Sequence, residues 1–507
     1  MKRWWSAAVG VVAGLFTVGI ATLLAALMTS AGLAGGTPSP LFAVGGAFVD
    51  RTPPWLKDFA ISTFGTHDKV ALIVGMALFL ITVCAVIGIV GARRRTAGMV
   101  AFGLVGAVGM LAVATRPHSG TLDLLPTVIG VAAGLWALST LWERAEEGAA
   151  GSAVDRRRFL LGGAGFTVAG ITAASLGQSL GQGARLAAQS RSSVRLPRAA
   201  RPVAIPGGAQ LDVRGITPYI MPNVDFYRID TALVVPQLDA AAWKLTVHGM
   251  VDREVTIDWP TLLSKPMQDS LVTLMCVSNE VGGDLTGNAV WTGWPVRELL
   301  KMAGPRAGAD MVLSTSSDGW TAGTPLSVLT DDRNALLAIA MNGQPLPFEH
   351  GFPVRMVVPG LYGYVSATKW VTDLKVTTFA QDEGYWTPRG WSALGPVKTE
   401  SRIDVPRSGD RVSAGKVAVA GIAWAQHRGI KSVEVRVDNG PWQQARLADE
   451  PSIDSWRQWV LPWQAARGSH IITVRATDMA GLTQTQTEAP PIPDGATGWH
   501  TITVNVD

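Results

Sequence analysis

Two cysteines in 507 residues, Cys84 and Cys276, are too few for a disulfide framework. Charge is scarce as well: Asp, Glu, Lys and Arg make up 16% of the chain, and the mean hydropathy of +0.23 is apolar for a wholly soluble protein. The formal charge of +4 sits on basic residues that are scattered or set beside apolar runs, so no nucleic-acid partner is expected. The seven histidines avoid the apolar stretches of the first third. That excludes the histidine pair a membrane b-type haem requires, and no haem is expected.

What the first third does contain is long uncharged runs. Trp4–Met28, Val70–Val90, Ala97–Thr115, Leu124–Leu141 and Phe159–Leu180 are each near the ~20 residues a helix needs to cross a bilayer. Lys2 and Arg3, then Arg93, Arg94 and Arg95, then Arg156, Arg157 and Arg158 flank alternate ends of these runs. By the positive-inside rule the clusters face the cytoplasm, which predicts five spans, with His67 and His118 in exterior loops and everything after about residue 182 outside. Arg156-Arg157-Arg158-Phe159-Leu160 before a Gly/Ala-rich run also reads as a twin-arginine-like signal; an ordinary cytoplasmic stop gives the same topology. Cys84 lies within an apolar run and is expected to pack there. The residues thus predict an N-terminal helical membrane domain over 1–182, an anchor contacting membrane lipid.

Beyond it, residues 183–209 are rich in Arg, Ser, Ala and Gly and read as a linker. From 210 to 391, alternating strands such as Trp243–Val247 mix with short helices such as Val296–Met302, an α+β pattern. From 392 to 507 the periodicity is two, as in Val417–Val419, Ser432–Val437 and Ile471–Arg475, and Asp438-Asn439-Gly440 marks a hairpin turn. That predicts an all-β immunoglobulin-like sandwich, although a cell-surface binding module shows the same period.

Cys276 closes the apolar run Leu271–Met275 and opens the Gly-rich stretch Val277–Asp284. A thiol at a strand end entering such a loop is placed to face a pocket. Taken by itself, a single cysteine is more often a small buried hydrophobe, whereas a soft thiolate is the expected ligand of a thiophilic redox metal.

The surrounding motifs decide between these readings. Met341-Asn342-Gly343-Gln344-Pro345-Leu346-Pro347, His350-Gly351-Phe352-Pro353-Val354-Arg355, Val357-Val358-Pro359-Gly360 and Lys369-Trp370 closely resemble the sulfite oxidase family. So do Thr217-Pro218, Asn223 with Phe226-Tyr227-Arg228, Cys276 with Asn279, and Trp291-Thr292-Gly293-Trp294-Pro295. The resemblance covers about residues 210–507. It implies a sulfite-oxidase-type molybdopterin domain in which a pyranopterin dithiolene gives molybdenum two sulfurs and Cys276 gives the third. By the same resemblance Asn223, Tyr227 and Arg228 lie over the pterin, and His350 and Arg355 contact the cofactor phosphate and pterin. Thr368 and Lys369 clamp the cofactor, Thr315 lines it, and Arg457, in Trp456-Arg457-Gln458-Trp459, reaches the substrate pocket. A dianionic phosphate needs such an arginine fork in a closed site. The C-terminal sandwich is implied to make a homodimer contact.

Three departures bear on substrate. Glu280 and Val281 stand where animal sulfite oxidases carry arginines, Trp391 falls where the pocket tyrosine belongs, and the arginine before Lys369 is missing, with Ser366 nearby. The resemblance therefore implies oxygen-atom transfer on a small sulfur or nitrogen oxo-substrate, with sulfite itself a poor one. A separate electron-transfer protein or a quinone would exchange the electrons. The rival reading is a membrane-tethered binding or scaffold protein that keeps the fold without the metal, and metal analysis separates the two.

Overall fold

The computed structural model describes the chain apart from residues 1–2, 32, 54–55, 57–58, 60–62, 65–67, 118, 151–152 and 180–181. For 68, 147–150, 153–156, 178–179 and 182–185 it describes the backbone alone. Lys2, His67 and His118 lie outside the described residues, as does the side chain of Arg156. The chain divides into two compact units, one of residues 1–186 with 231–235, the other of 187–230 with 236–507.

The first unit is helical. Five of its helices are long and apolar enough to cross a membrane, with spans at Arg3–Ser30, Lys69–Gly91, Arg95–Ala114, Thr121–Glu146 and Arg157–Gly177. A shorter helix, Pro40–Arg51, opens with proline at its first position, where the missing N–H costs nothing. The first helix is the hub, and Val9, Ala13 and Phe16 pack with Leu138, Leu141 and Trp142 in a common core. Gly10 lies so close to the Cys84 carbonyl that a side chain there would collide, and Cys84 itself is buried. Leu78, Phe79, Leu104 and Leu111 face outward and are more than half exposed. Such apolar exposure is foreign to a surface in water.

The second unit begins with a correction. The stretch read as a linker carries a helix, Gln182–Ser193, because its Ala, Leu, Gln and Arg are strong helix formers. Arg191 fastens that helix by donating to the carbonyls of Leu346 and Pro345 at 2.7 and 2.9 Å.

Two five-stranded sheets then share one core. In one, Gln268–Met275, Thr286–Pro295 and Leu336–Met341 run antiparallel, with Gln344–Pro345 and Arg355–Val357 both paired to Leu336–Met341. The other has the order Val255–Asp258, Lys244–Gly249, Val371–Thr377, Met311–Ser316, Thr321–Pro325, with one parallel pair, Lys244–Gly249 on Val371–Thr377. Leu336–Met341 is buried at every residue, as a central strand covered on both faces should be. A helix at Val296–Ala303 follows its strand directly and ends at Gly304 in the left-handed conformation.

After residue 399 come a four-stranded sheet (Glu400–Val405, Gly415–Trp424, Arg457–Ala465, Arg446–Leu447) and a five-stranded sheet built on Gly468–Asp478 and Ile430–Val437. Val419, Trp459, Val433, Ile472 and Val504 form the core they share. The turn read at 438–440 is present, but the positive φ falls on Asp438, at 53°, and not on Asn439-Gly440. Ile422, Trp424 and Trp456 belong instead to the core of the preceding sheets. Trp456 is tied there by its indole N–H to the Tyr219 carbonyl at 3.0 Å.

Candidate active site

Cys276 stands at the end of strand Gln268–Met275, half-buried, where the chain leaves the sheet. Its backbone N–H donates to the Leu285 carbonyl and its carbonyl accepts from Asn279 N–H at 3.1 Å, so the loop returns beside its own start. Asn279 closes it, with Oδ1 accepting from Leu285 N–H at 2.8 Å. Gly282 takes φ +79° and packs so tightly on the His500 ring that a side chain would collide there. Arg402 donates to the Gly283 carbonyl at 2.7 Å and, through Nε, to Asp404 at 2.7 Å. Neither contact was foreseen from the sequence: Arg402 carries no signal there, and Gly498-Trp499-His500, though it resembles the family, does not announce a contact with a distant loop. Burial pushes the Cys276 thiol up, against hydrogen bonds from the backbone and side chain of Ser278 that favour thiolate. A metal ligand must lose that proton, so binding there releases it.

The resemblance placed Asn223, Tyr227, Arg228, His350, Arg355 and Lys369 together, and the structure does the same. Phe226 stacks on Tyr227 at 5.3 Å and meets His350 edge-on at 5.5 Å and Trp291 at 5.7 Å. His350 Nε2 lies 3.1 Å from the Asn223 carbonyl and must carry the proton toward it. Burial first, then the nearby Arg355, Lys369 and Arg228, lower His350 to about 4. Asn223 Oδ1 accepts from Asn342 Nδ2 at 2.8 Å, and Asn342 has φ +52°. The Tyr227 hydroxyl approaches Gly363, whose neighbourhood includes the Met275 carbonyl next to Cys276.

Arg355 is 5% exposed and has no carboxylate partner among the described residues. It reaches only the carbonyls of His350, Met356 and Ala367, at 3.2 to 3.4 Å, and lies over the Trp291 ring at 5.0 Å. Burial lowers it to about 10, which leaves it charged. Gly351, at φ +106°, lets the chain pass between Arg355 and Lys369. Lys369 pairs with Asp230 at 2.6 Å and donates to the Glu349 carbonyl at 2.9 Å. Burial brings it down to about 8 against the pull of Asp230. Arg228 also folds onto Asp230, at 2.9 Å.

Other expected residues fall differently. Ser314, and not Thr315, meets the Thr368 hydroxyl, at 2.6 Å, because neighbours on a strand point to opposite faces. Arg457 donates to the carbonyls of Ala448 and Ile430 at 2.7 and 3.0 Å, with Glu450 at 3.9 Å. Its reading as a pocket residue is corrected: the strand pleat turns it into the C-terminal sheets while Trp456 faces the other way. Trp391 is half-buried against Tyr364 at 5.9 Å and Trp386 at 6.3 Å. Arg389 is spent on Tyr385, whose ring it covers at 3.7 Å. Glu280 is exposed.

These donors fit an anionic cofactor bearing a phosphate. A buried arginine without an acid and the unpartnered, buried Asn279 Nδ2 beside Cys276 are groups that ask for an acceptor. Among the described residues no cluster of three or more His, Cys, Asp or Glu could hold a metal by itself. The resemblance implies a single protein thiolate, Cys276, with the other ligands brought by an organic group.

The family model for the oxidoreductase molybdopterin binding domain matches residues 232–386. Mitochondrial sulfite oxidase of Homo sapiens is 30% identical over 323 residues, covering 54% of this chain and 58% of its own. The uncharacterized oxidoreductase YuiH of Bacillus subtilis is 33% identical over 157 residues, 31% of this chain and 76% of its own. Among solved structures, the sulfane dehydrogenase SoxCD of Paracoccus pantotrophus shares the fold, with a TM-score of 0.50 at 21% identity over 58% of this chain and 85% of that one. Fold and match make this a molybdopterin-binding oxidoreductase domain. The chain belongs to the sulfite oxidase family, and it spans 58% of the length of the human relative.

Proposed function

We propose that the protein is a membrane-anchored molybdenum enzyme exchanging an oxygen atom with a small sulfur or nitrogen oxo-substrate outside the cytoplasm. Arg355, buried and without an acid partner, carries the reading, because a charge held so can be kept only for an anion. Bound there, the molybdenum cofactor supplies a two-electron centre for oxygen-atom exchange. The chain's own residues do the rest. Cys276 gives up its proton to become the ligand thiolate, Asn279 fixes the loop that aims it, and Tyr227 and Phe226 wall the site against water. Arg355, His350 and Lys369 hold the anionic part, with His350 taking a proton once negative charge arrives.

Arg228 and Trp391 are assigned to the substrate side, and a neutral sulfoxide suits them better than sulfite. Arg389 and Arg457 are both engaged elsewhere, so neither makes up for the arginines replaced by Glu280 and Val281. The outward-facing apolar helices support the anchor, and the two facing sheets support an immunoglobulin-like domain that pairs two copies. Electrons would pass to or from a separate carrier protein or a quinone.

Metal analysis of the purified chain tests the reading: about one molybdenum per chain is expected, lost or catalytically silent in Cys276→Ser with the fold unchanged. A wild-type protein free of molybdenum, or full turnover by Cys276→Ser, would overturn it in favour of a binding protein.

A further inference from the structure

Membership of the two compact units does not follow the order of the chain. Residues 187–230 belong with the sheets, residues 231–235 with the helices, and from Pro236 the chain belongs with the sheets again. Asp230, which holds both Arg228 and Lys369, is thus one peptide bond from a segment that packs as part of the helical unit.

The chain has neither helix nor strand from Tyr227 to Asp239, so side chains must fix that segment. Lys69, at the start of the span Lys69–Gly91, donates through Nζ to the Ala232 carbonyl at 2.8 Å. Leu233 lies against helix Pro40–Arg51 at Gly45. A Cβ on that glycine would stand 2.7 Å from Leu233 Cδ1 and 3.0 Å from Met76 Cε, so the missing side chain makes the room that Leu233 takes. Tyr227 and Leu238, on either side of the segment, pack on the core of the sheets.

The Asp230 side chain is 5% exposed, and one oxygen, Oδ2, takes both Lys369 Nζ at 2.6 Å and Arg228 Nε at 2.9 Å. Oδ1 adds a contact with Arg228 Nη2 at 3.4 Å. An oxygen shared between two cations tolerates little displacement, because a shift toward one lengthens the bond to the other.

We propose that Asp230 is the positioning residue of the cofactor site, setting Lys369 for the anionic cofactor and Arg228 for the substrate, and that Thr231–Val235 is a strap by which the helical unit holds it there. The proposal rests on the reading of that site as the holder of an anionic molybdenum cofactor. The helices thereby acquire a task beyond anchoring.

The groups that face Lys369 make the coupling readable. Burial brings Lys369 down to about 8, and Arg355 and Arg228 push the same way. Among the described residues Asp230 alone pulls it up. His350 is neutral there, at about 4, and Glu349 offers Lys369 its carbonyl while the residue is exposed. With Asp230 lost or displaced, Lys369 sheds its proton at lower pH. An uncharged lysine holds an anion poorly, so cofactor retention fails at lower pH as well.

In the full chain freed of cofactor, competitive acetylation read by mass spectrometry gives the pH at which Lys369 loses its proton. Asp230→Asn should lower that pH by about 1 pH unit or more, and Asp230→Glu, which keeps the charge, should restore most of it. Leu233→Ser changes no charge and should move it the same way by less. Gly45→Leu unseats the same side chain from the opposite face, so this arm survives if Leu233→Ser does not fold. In the loaded chain, the pH at which molybdenum is lost on gel filtration should fall in step. An unchanged Lys369 in Asp230→Asn, or wild-type behaviour in both Leu233→Ser and Gly45→Leu, would overturn the proposal. Either result, with molybdenum still bound by the wild type, leaves the functional reading standing. A wild type free of molybdenum would sink that reading and the proposal with it.

Discussion

The cofactor cleft and the C-terminal sheets treat their cations in opposite ways. In the sheets three arginines have their own acids: Arg402 has Asp404 at 2.7 Å, Arg428 has Asp478 at 2.9 Å, and Arg475 has Glu434 at 2.9 Å, while Arg436 lies over the Trp442 ring at 4.8 Å. In the cleft, Arg228 and Lys369 share Asp230 and Arg355 has none. The same residue type is structural in one place and waiting for a ligand in the other. Matched pairs cost little once formed, whereas an unmatched buried cation is a standing expense that a stable fold keeps only for a purpose.

Breaking a matched pair should show the larger effect on stability. Arg402→Gln leaves the Asp404 carboxylate, 5% exposed, without its partner and frees the Gly283 carbonyl. A loss of about 3–5 kcal/mol in urea unfolding is expected. Arg355→Gln should sharpen the contrast from the other side. Its cofactor-free form should unfold no earlier than the wild type, since no acid is orphaned. Molybdenum retention should weaken by about 10- to 150-fold, the equivalent of one charge-assisted hydrogen bond. Equal stability losses in the two variants would erase the distinction between the regions.

A smaller effect belongs to His350. Without cofactor it is neutral, at about 4, so the stability it contributes is present above the ordinary histidine value of 6.5 and is lost as pH falls through about 4. NMR titration should find it there in the cofactor-free protein and well above it once the anion is bound. No change on binding would remove His350 from the phosphate side. The least effect is expected at the exposed pair His470–Asp438, at 2.8 Å with the aspartate 48% exposed. His470→Ala should cost about 0.5 kcal/mol or less in thermal unfolding at low pH. That contribution fades as pH rises through the raised pKa of the histidine.

How far the sequence spoke depended on the kind of signal. The apolar runs at 4–28 and 70–90 became helices Arg3–Ser30 and Asp68–Gly91, because continuous hydrophobicity of that length has few other uses. The strand before Cys276 and the turn at Asp438 were equally plain. Helix Gln182–Ser193 was hidden by a composition shared with flexible linkers, and helix propensity is a weak voice in short segments. Within the site, residues in compact motifs such as His350 and Arg355 were legible. Asp230, Ser314, Arg402 and His500 were not, since each matters through a partner far away in sequence. Arg457 misled because a motif shows where a residue stands along a strand but not which face the pleat gives it.

The closure of the cysteine loop has a consequence for the timing of assembly. The group that holds the Gly283 carbonyl is 119 residues downstream, on strand Glu400–Val405, and the His500 ring against Gly282 is made later still. A nascent chain that has delivered both sheets of the preceding core still has a thiol loop without its clamp. Closure of the cysteine loop therefore waits for Arg402 and His500 to be made, so later segments of the chain complete a loop made long before them.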